Sequence, residues 1–218
     1  LFDKNILNSY QYPIPIICVG NLSIGGSGKT PQVEYLINLL IKKYKTAVLS
    51  RGYGRRSQNF IYVKETAIAK NVGDEAVMIK QKYPEIIVAV EKNRNKGVKK
   101  LLIDHPNLDV ILLDDGFQHR SIKSGMNILV TPFHKPFFND QIWPLGTLRE
   151  NTCGIKRADI IVISKCSEHI KSIELKNKII AKLFPFSKKK IYFSMIKYNK
   201  WICLKTEKEI KNKPKNII

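Results

Sequence analysis

The chain has 218 residues, 44% of them apolar, and a formal net charge of +20 at pH 7. That length and apolar content suit one α/β domain, or one domain with part of a second, and exclude a chain disordered throughout. No apolar run approaches the roughly 20 residues needed to cross a bilayer.

The charge favours an anionic partner: nucleotide, nucleic acid or membrane surface. A Lys-, Ile- and Asn-rich coding bias accounts for it as well, since only seven of the 38 basic residues are Arg. The four cysteines, at 18, 153, 166 and 202, stand singly, which argues against a zinc site and fits a reducing compartment. No stretch reads as a secretory signal, and the start at Leu1 rather than Met leads one to expect sequence upstream.

The first predicted strand, residues 14–19, holds Cys18 as a small apolar filler. It runs into Val19-Gly20-Asn21-Leu22-Ser23-Ile24-Gly25-Gly26-Ser27-Gly28-Lys29-Thr30, and a helix is predicted over about 30–43, with Val33, Leu36, Ile37 and Leu40 at helical spacing. Pro31 sits where its missing N–H costs little. A glycine-rich turn between strand and helix is the placement a P-loop requires. Its N–H groups surround phosphate oxygens, Lys29 reaches the β- and γ-phosphates, and the Thr30 hydroxyl binds Mg²⁺. The cradle is residues Ser23, Ile24, Gly25, Gly26, Ser27, Gly28, Lys29 and Thr30; Ser23 stands where the generic pattern has Gly.

A second strand is predicted at 46–50, then a polar, basic insertion at 52–71 with a hairpin around 60–63. Gly73-Asp74-Glu75 opens a helix over 73–82. Acidic residues there either complement the helix dipole or, in the case of Asp74, take a proton from an attacking hydroxyl. A strand at 86–90 and a helix at 93–103 follow. The next strand, 109–114, delivers Asp114-Asp115 to a sheet edge, where Asp114 can hold Mg²⁺ directly or through water; an ordinary surface turn is the alternative. Gln118-His119-Arg120 comes next, with His119 either meeting a substrate or bonding within its loop. Arg51, Arg94 and Arg149 read as phosphate clamps or as solvated charges.

Strands at 127–130 and 159–164 flank a second insertion, 132–154, whose Phe133, Phe137, Phe138 and Trp143 suit either core packing or a lipid surface. A helix is expected at 167–183. From about residue 188 the texture changes, with a strand at 191–196 followed by Trp201–Leu204 and a Lys-rich end. The pattern predicts a doubly wound, mostly parallel P-loop sheet over residues 1–187 and the start of a smaller lobe at 188–218.

Several of these stretches together resemble the tetraacyldisaccharide 4′-kinase family of the lipid A pathway. They are the loop from Val19 to Pro31, Ser50-Arg51-Gly52-Tyr53-Gly54-Arg55, Gly73-Asp74-Glu75, Asp114-Asp115-Gly116-Phe117-Gln118-His119, and Pro144-Leu145-Gly146-Thr147-Leu148-Arg149-Glu150. They run in the family's order over about residues 5–200, and that family also carries Ser or Thr at the position of Ser23. The resemblance implies ATP-dependent phosphorylation of the 4′-hydroxyl of an acylated disaccharide 1-phosphate, at the inner face of the inner membrane. It implies Asp74 as base, Thr30, Asp114 and Asp115 as the Mg²⁺ set, and Tyr53, Glu75, Arg94, Gln118 and His119 as nearby nucleotide- or substrate-site residues.

The resemblance further implies an N-terminal membrane-anchoring helix, of which Leu1-Phe2-Asp3 is the tail, and a C-terminal lobe with an Asp-His-His motif whose His partners Asp74. The sequence ends before that motif, and neither His134 nor His169 has the context to replace it. The expectation is a truncated form whose general base works without its partner, about 10²–10⁴-fold more slowly. Two other classes remain in view. A GTPase-like switch would read guanine near Ile163-Ser164-Lys165-Cys166-Ser167, but Ser167 lacks the needed carboxylate. A nucleic-acid-associated ATPase would use the positive charge, but no nucleic-acid-binding motif accompanies it.

Overall fold

Apolar runs such as Val110–Asp114 have no polar face to offer to water, so a sheet made of them must be covered on both sides. The computed structural model describes residues 2, 6–167, 173–183, 189–197, 201–202 and 209–210. Its elements are β1 (Ile16–Gly20), α1 (Lys29–Leu40), β2 (Thr46–Ser50), β3 (Ile61–Tyr62), α2 (Ala69–Val72), α3 (Asp74–Lys82), β4 (Ile87–Val90), α4 (Arg94–Asp104), β5 (Val110–Asp114), β6 (Met126–Pro132), β7 (Ile160–Ser164), α5 (Ile173–Leu183), β8 (Lys190–Phe193), β9 (Trp201–Ile202) and β10 (Glu209–Ile210). The main sheet has the order β3-β4-β2-β5-β1-β6-β7-β8. All neighbours are parallel except β3 and β4.

Alternation along each strand divides the core in two. Ile111 and Leu113 of β5 face the layer that holds Val98 and Leu101 of α4, Leu183 of α5, and Phe137, Leu148 and Ile155 of the long insertion. Leu112 faces the opposite layer, with Val33 and Ile37 of α1, Val72 of α2, and Ala76 and Ile79 of α3. This is the doubly wound arrangement expected. Among the described residues no helix is long and apolar enough to cross a membrane.

Three local expectations change. Residues 60–63 form no hairpin of their own: Ile61 and Tyr62 pair antiparallel with Val90 and Ala89 of β4, so the insertion closes the sheet edge. β8 pairs with β7 in the main sheet, so the core sheet runs past residue 187; β9 and β10 form a separate two-stranded sheet. The aromatic residues of the second insertion divide. Phe137 is buried, Phe133 and Phe138 pack against the core, and Trp143 is exposed. The expected helix at 167–183 is seen from Ile173, because 168–172 lie outside the described residues, as do 203 and 204.

The site is organised by the parallel pairing of β1 with β5, which sets Val19 beside Asp114. The chain leaving each strand is joined to the other. Gly116 donates its N–H to the Val19 carbonyl at 3.2 Å. A Cβ on Gly20 would lie 2.4 Å from the Phe117 Cβ and 2.8 Å from its backbone nitrogen. Because backbone is the obstacle, Gly20→Ala is expected to lower stability by about 1–3 kcal/mol. A urea melt checks this, and an unchanged midpoint contradicts the packing described.

Candidate active site

The chain between β1 and α1 is held from two sides. Ser23 forms an antiparallel bridge with Leu148, and the Ile24 N–H donates to the Thr147 carbonyl at 2.6 Å. The Arg149 N–H donates to the Leu22 carbonyl at 2.7 Å. The Pro144–Glu150 stretch is thus a backbone brace for the loop, stiffened by Asp140, which accepts from the Thr147 N–H and hydroxyl. Gly28 takes a left-handed conformation (φ 83°) as the N-cap of α1, and the helix begins at Lys29.

Lys29 and Thr30 then project toward the end of β5. The Lys29 ammonium lies 3.2 Å from Asp115 Oδ1 and donates to Asn21 Oδ1 at 3.2 Å. The Thr30 hydroxyl donates to Glu75 Oε1 at 3.2 Å. Asp114 is fully buried and neither carboxylate oxygen has a hydrogen-bond partner. Burial, with Glu75 and Asp115 nearby, pushes its pKa up to about 7 against the pull of Lys29 and Arg94. Asp115 goes the other way. Burial works to raise its pKa, but Lys29 and Arg149 outweigh that and hold the carboxyl below the usual range. Arg149 Nη1 lies 3.0 and 3.1 Å from its two oxygens.

A hard cation with oxygen ligands fits this place. Two orphaned carboxylate oxygens, a second carboxylate and a helix-start hydroxyl meet beside the loop, and Mg²⁺ characteristically takes one or two carboxylates and completes its shell with water and phosphate oxygens. Among the described residues no group of three or more His, Cys, Asp or Glu side chains forms a self-sufficient metal cage.

Asp74 and Glu75 reach this point through a glycine contact. Gly73 (φ 92°) ends α2 and begins α3, and a Cβ on it would lie 3.0 Å from the Gly52 Cα. Gly52 (φ 69°) has no room either, with the Val72 carbonyl oxygen 2.8 Å from its would-be Cβ. The two motifs therefore interlock by backbone. Arg55 secures the first by donating to the Asn59 carbonyl at 2.6 Å. Glu75 accepts from the Thr30 hydroxyl and lies near enough to Asp114 to raise its pKa. Asp74 is exposed in the first turn of α3, where its carboxylate accepts from the adjacent Glu75 N–H at 3.0 Å. Tyr53 is 83% exposed at the tip of the interlocked loop.

The arginines are neither simple surface charges nor equivalent clamps. Arg94 is 1% exposed and donates to the carbonyls of Glu91 and Asp114, at 2.5 and 3.1 Å. Burial lowers its pKa to about 10, with Asp114 and Asp115 opposing, so it remains charged at neutral pH. It supports the end of β5 from behind. It also lines a cavity of about 580 Å³ with Arg51, Glu91, Lys92 and His119, at the carboxyl ends of β2, β4 and β5. Burial and the neighbouring Arg94 and Arg51 push His119 down to about 4, so its imidazole is neutral at pH 7. Gln118 turns elsewhere: its amide donates to the Asn21 carbonyl at 2.7 Å and to Glu150 Oε1 at 3.1 Å. Arg157 Nη2 lies 2.7 and 2.8 Å from the Glu150 carboxylate and the guanidinium lies over the Phe117 ring, anchoring that loop.

Three further residues brace the loop, none of them read in the sequence as doing so. Asn21 holds Lys29 and, through its amide, the Ser23 carbonyl at 2.7 Å. Ser164 and Lys165 bond the outer carbonyls of the loop.

A strand–glycine turn–helix facing a strand-end Asp pair, on a doubly wound parallel sheet, is the construction of a P-loop nucleotide-binding protein. The family model described as tetraacyldisaccharide-1-P 4′-kinase matches residues 1–216. The chain belongs to that family. It is 47% identical over 201 residues to the tetraacyldisaccharide 4′-kinase of Flavobacterium psychrophilum, covering 91% of this chain and 58% of the relative. It is 44% identical to that of Flavobacterium johnsoniae, over 100% of this chain and 65% of the relative. The structure of LpxK from Aquifex aeolicus in complex with ATP superposes with a TM-score of 0.74 at 34% identity, covering 88% of this chain and 57% of that one. The chain therefore spans a little over half to two thirds of the length of these relatives.

The raised pKa of Asp114 has a consequence for stability. Between about pH 4 and 7 the unfolded chain has released this proton and the folded one has not. Without metal, stability therefore falls as pH rises through that window, at roughly 1.4 kcal/mol per unit from this group, and the cost persists above it. In EDTA at pH 8, Asp114→Asn is expected to melt above the parent, with the gap closing toward pH 4. An Asn variant that melts below the parent at pH 8 contradicts the assignment.

Proposed function

We propose that the protein transfers the γ-phosphoryl group of ATP to the 4′-hydroxyl of an acylated disaccharide 1-phosphate, a lipid A precursor. The observation that carries this reading is the meeting of Lys29, Thr30, Glu75, Asp114 and Asp115 at the edge of the sheet, in a chain of the 4′-kinase family. Residues 23–30 would cradle the triphosphate, and Thr30 with Asp114, aided by Asp115 and Glu75, would hold Mg²⁺. The bound cation supplies neutralisation of charge on the β- and γ-phosphoryl oxygens.

The protein's part is positioning and proton transfer. Lys29 exchanges its contact with Asp115 for phosphate oxygens, and Arg149, already on Asp115, keeps that carboxylate ionised. Asp74 stands exposed at the start of α3, one residue from the cation set, where it accepts the acceptor hydroxyl proton as the oxygen attacks phosphorus. The 580 Å³ cavity at the carboxyl ends of β2, β4 and β5, lined by Arg51, Lys92, Arg94 and neutral His119, suits the sugar and its anionic substituent. Tyr53, exposed at its loop tip, is available to the acceptor, while Gln118 acts through the loop by its bond to the Asn21 carbonyl. Such an acceptor places the protein at the anionic cytoplasmic face of the inner membrane, which the +20 net charge favours. The β9–β10 pair is the opening of the smaller C-terminal lobe. A guanine-reading switch is disfavoured by family membership and by Ser167, which offers no carboxylate.

The test is conversion of tetraacyldisaccharide 1-phosphate to its 4′-phosphorylated product in detergent with MgATP, alongside ATP binding by calorimetry. Lys29→Ala is expected to lose ATP affinity. Asp74→Asn is expected to keep ATP affinity within about twofold and to lose about 10²–10⁴ in transfer rate. Parental turnover by Asp74→Asn removes the base from the scheme.

A further inference from the structure

A phosphate loop has two surfaces. If its N–H groups converge on phosphate oxygens, the carbonyls of the same peptides are turned outward and need donors of their own. Here two consecutive residues after β7 supply them. Ser164, the last residue of that strand and 2% exposed, donates from Oγ to the Ser27 carbonyl at 2.5 Å. Lys165 donates from Nζ to the Gly26 carbonyl at 2.6 Å. Its backbone is left-handed (φ 55°) where β7 ends. The fit is close: a Cβ on Gly28 would stand 3.3 Å from Ser164 Oγ and 3.9 Å from Lys165 Cε.

The charges on the two sides of the loop also differ. Lys29, on the inside, is engaged by Asp115. Lys165, on the outside, forms no ion pair among the described residues. Its positive charge therefore adds to the field at the loop without a neighbouring carboxylate to offset it.

We propose that Ser164 and Lys165 are positioning residues of the phosphate site: Ser164 holds the Ser27 carbonyl so that the Gly28 N–H of the same peptide faces the phosphates, and Lys165 holds the Gly26 carbonyl of the neighbouring turn, whose Ser27 N–H folds back to the Gly25 carbonyl at 2.9 Å. Lys165 adds a second positive charge to the nest from its outer rim. The inference rests on the nucleotide reading above and concerns residues outside the loop itself.

Calorimetric titration of MgATP, MgADP and AMP into the full chain tests it, using Ser164→Ala, Lys165→Met, Lys165→Arg and, as a charge control, Lys42→Met beyond the far end of α1. Lys165→Met is expected to weaken MgATP and MgADP by about tenfold, the size of one charge-assisted hydrogen bond, and Ser164→Ala by about fivefold, the size of a neutral one. AMP affinity should stay within about twofold, and the melting temperature within about 2 °C, because this is not a stability effect. Lys165→Arg should recover most of the loss, and the Lys165→Met deficit should shrink as salt rises. Lys42→Met should leave every affinity unchanged.

If Ser164→Ala also lowers the melting temperature, the exposed Lys165 decides alone. MgATP affinity within twofold of the parent in Lys165→Met, or an equal loss for AMP, overturns the proposal. Absence of MgATP binding by the unsubstituted chain sinks the nucleotide reading itself and this inference with it.

Discussion

The parallel pairing of β1 with β5, Val19 against Asp114, is the constraint from which the site follows. A phosphate loop and a metal-binding carboxylate are useful to each other only within a few ångströms, and two neighbouring parallel strands deliver both at their carboxyl ends. Every further contact at that edge fastens one exit to the other. Gly116 bonds Val19, Phe117 covers Gly20, and Gln118 holds the Asn21 carbonyl. The register leaves no space for a side chain at Gly20, so loop and Asp pair are placed as a unit.

The electrostatics of the protein alone are unbalanced in a directed way. Asp114 is buried with both oxygens unpartnered while Glu75 and Asp115 crowd it. An unpaired buried carboxylate destabilises a fold unless something compensates, and here the compensation within the chain is partial: Lys29 leans to Asp115 and Asn21, and Arg94 bonds the Asp114 carbonyl instead of its carboxylate. A divalent cation relieves the excess negative charge and frees Lys29 for an anion. The same groups thus favour metal and triphosphate together over either one alone. On the neighbouring wall the sign is opposite. Burial, reinforced by Arg94 and Arg51, holds His119 neutral, so the positive charge lining that cavity is guanidinium and lysine, not imidazolium.

Much of this was legible in the sequence, for physical reasons. Strands buried on both faces are near-continuous apolar runs, and the Gly-Lys-Thr turn has its chemistry in adjacent residues. Both are local signals. What escaped is what depends on residues distant in the chain. The hairpin expected at 60–63 has the right composition, but its hydrogen bonds go to β4, 27 to 29 positions on, by the registers Ile61↔Val90 and Tyr62↔Ala89. Residues 190–193 read as a new lobe because the intervening sequence is basic and polar, yet backbone pairing with β7 draws them into the sheet. Arg94 reads in the sequence as a phosphate clamp or a solvated charge; nothing in its neighbours says that its guanidinium turns inward to two carbonyls. Gly52 and Gly73 were visible as motif glycines, but their mutual exclusion of a Cβ appears only when the two turns are packed together.

The central claim is that Asp114 and the glycine loop act on one magnesium–triphosphate. The most direct measurement is a thermodynamic cycle of ATP affinity with and without Mg²⁺, in the parent chain and in Asp114→Asn. The account predicts that Mg²⁺ tightens ATP binding by about tenfold or more in the parent and by less than about twofold in the variant, a coupling of about 1 kcal/mol or more. Equal tightening in both proteins would contradict it, because the cation would then be held without the carboxylate that the fold buries beside the loop.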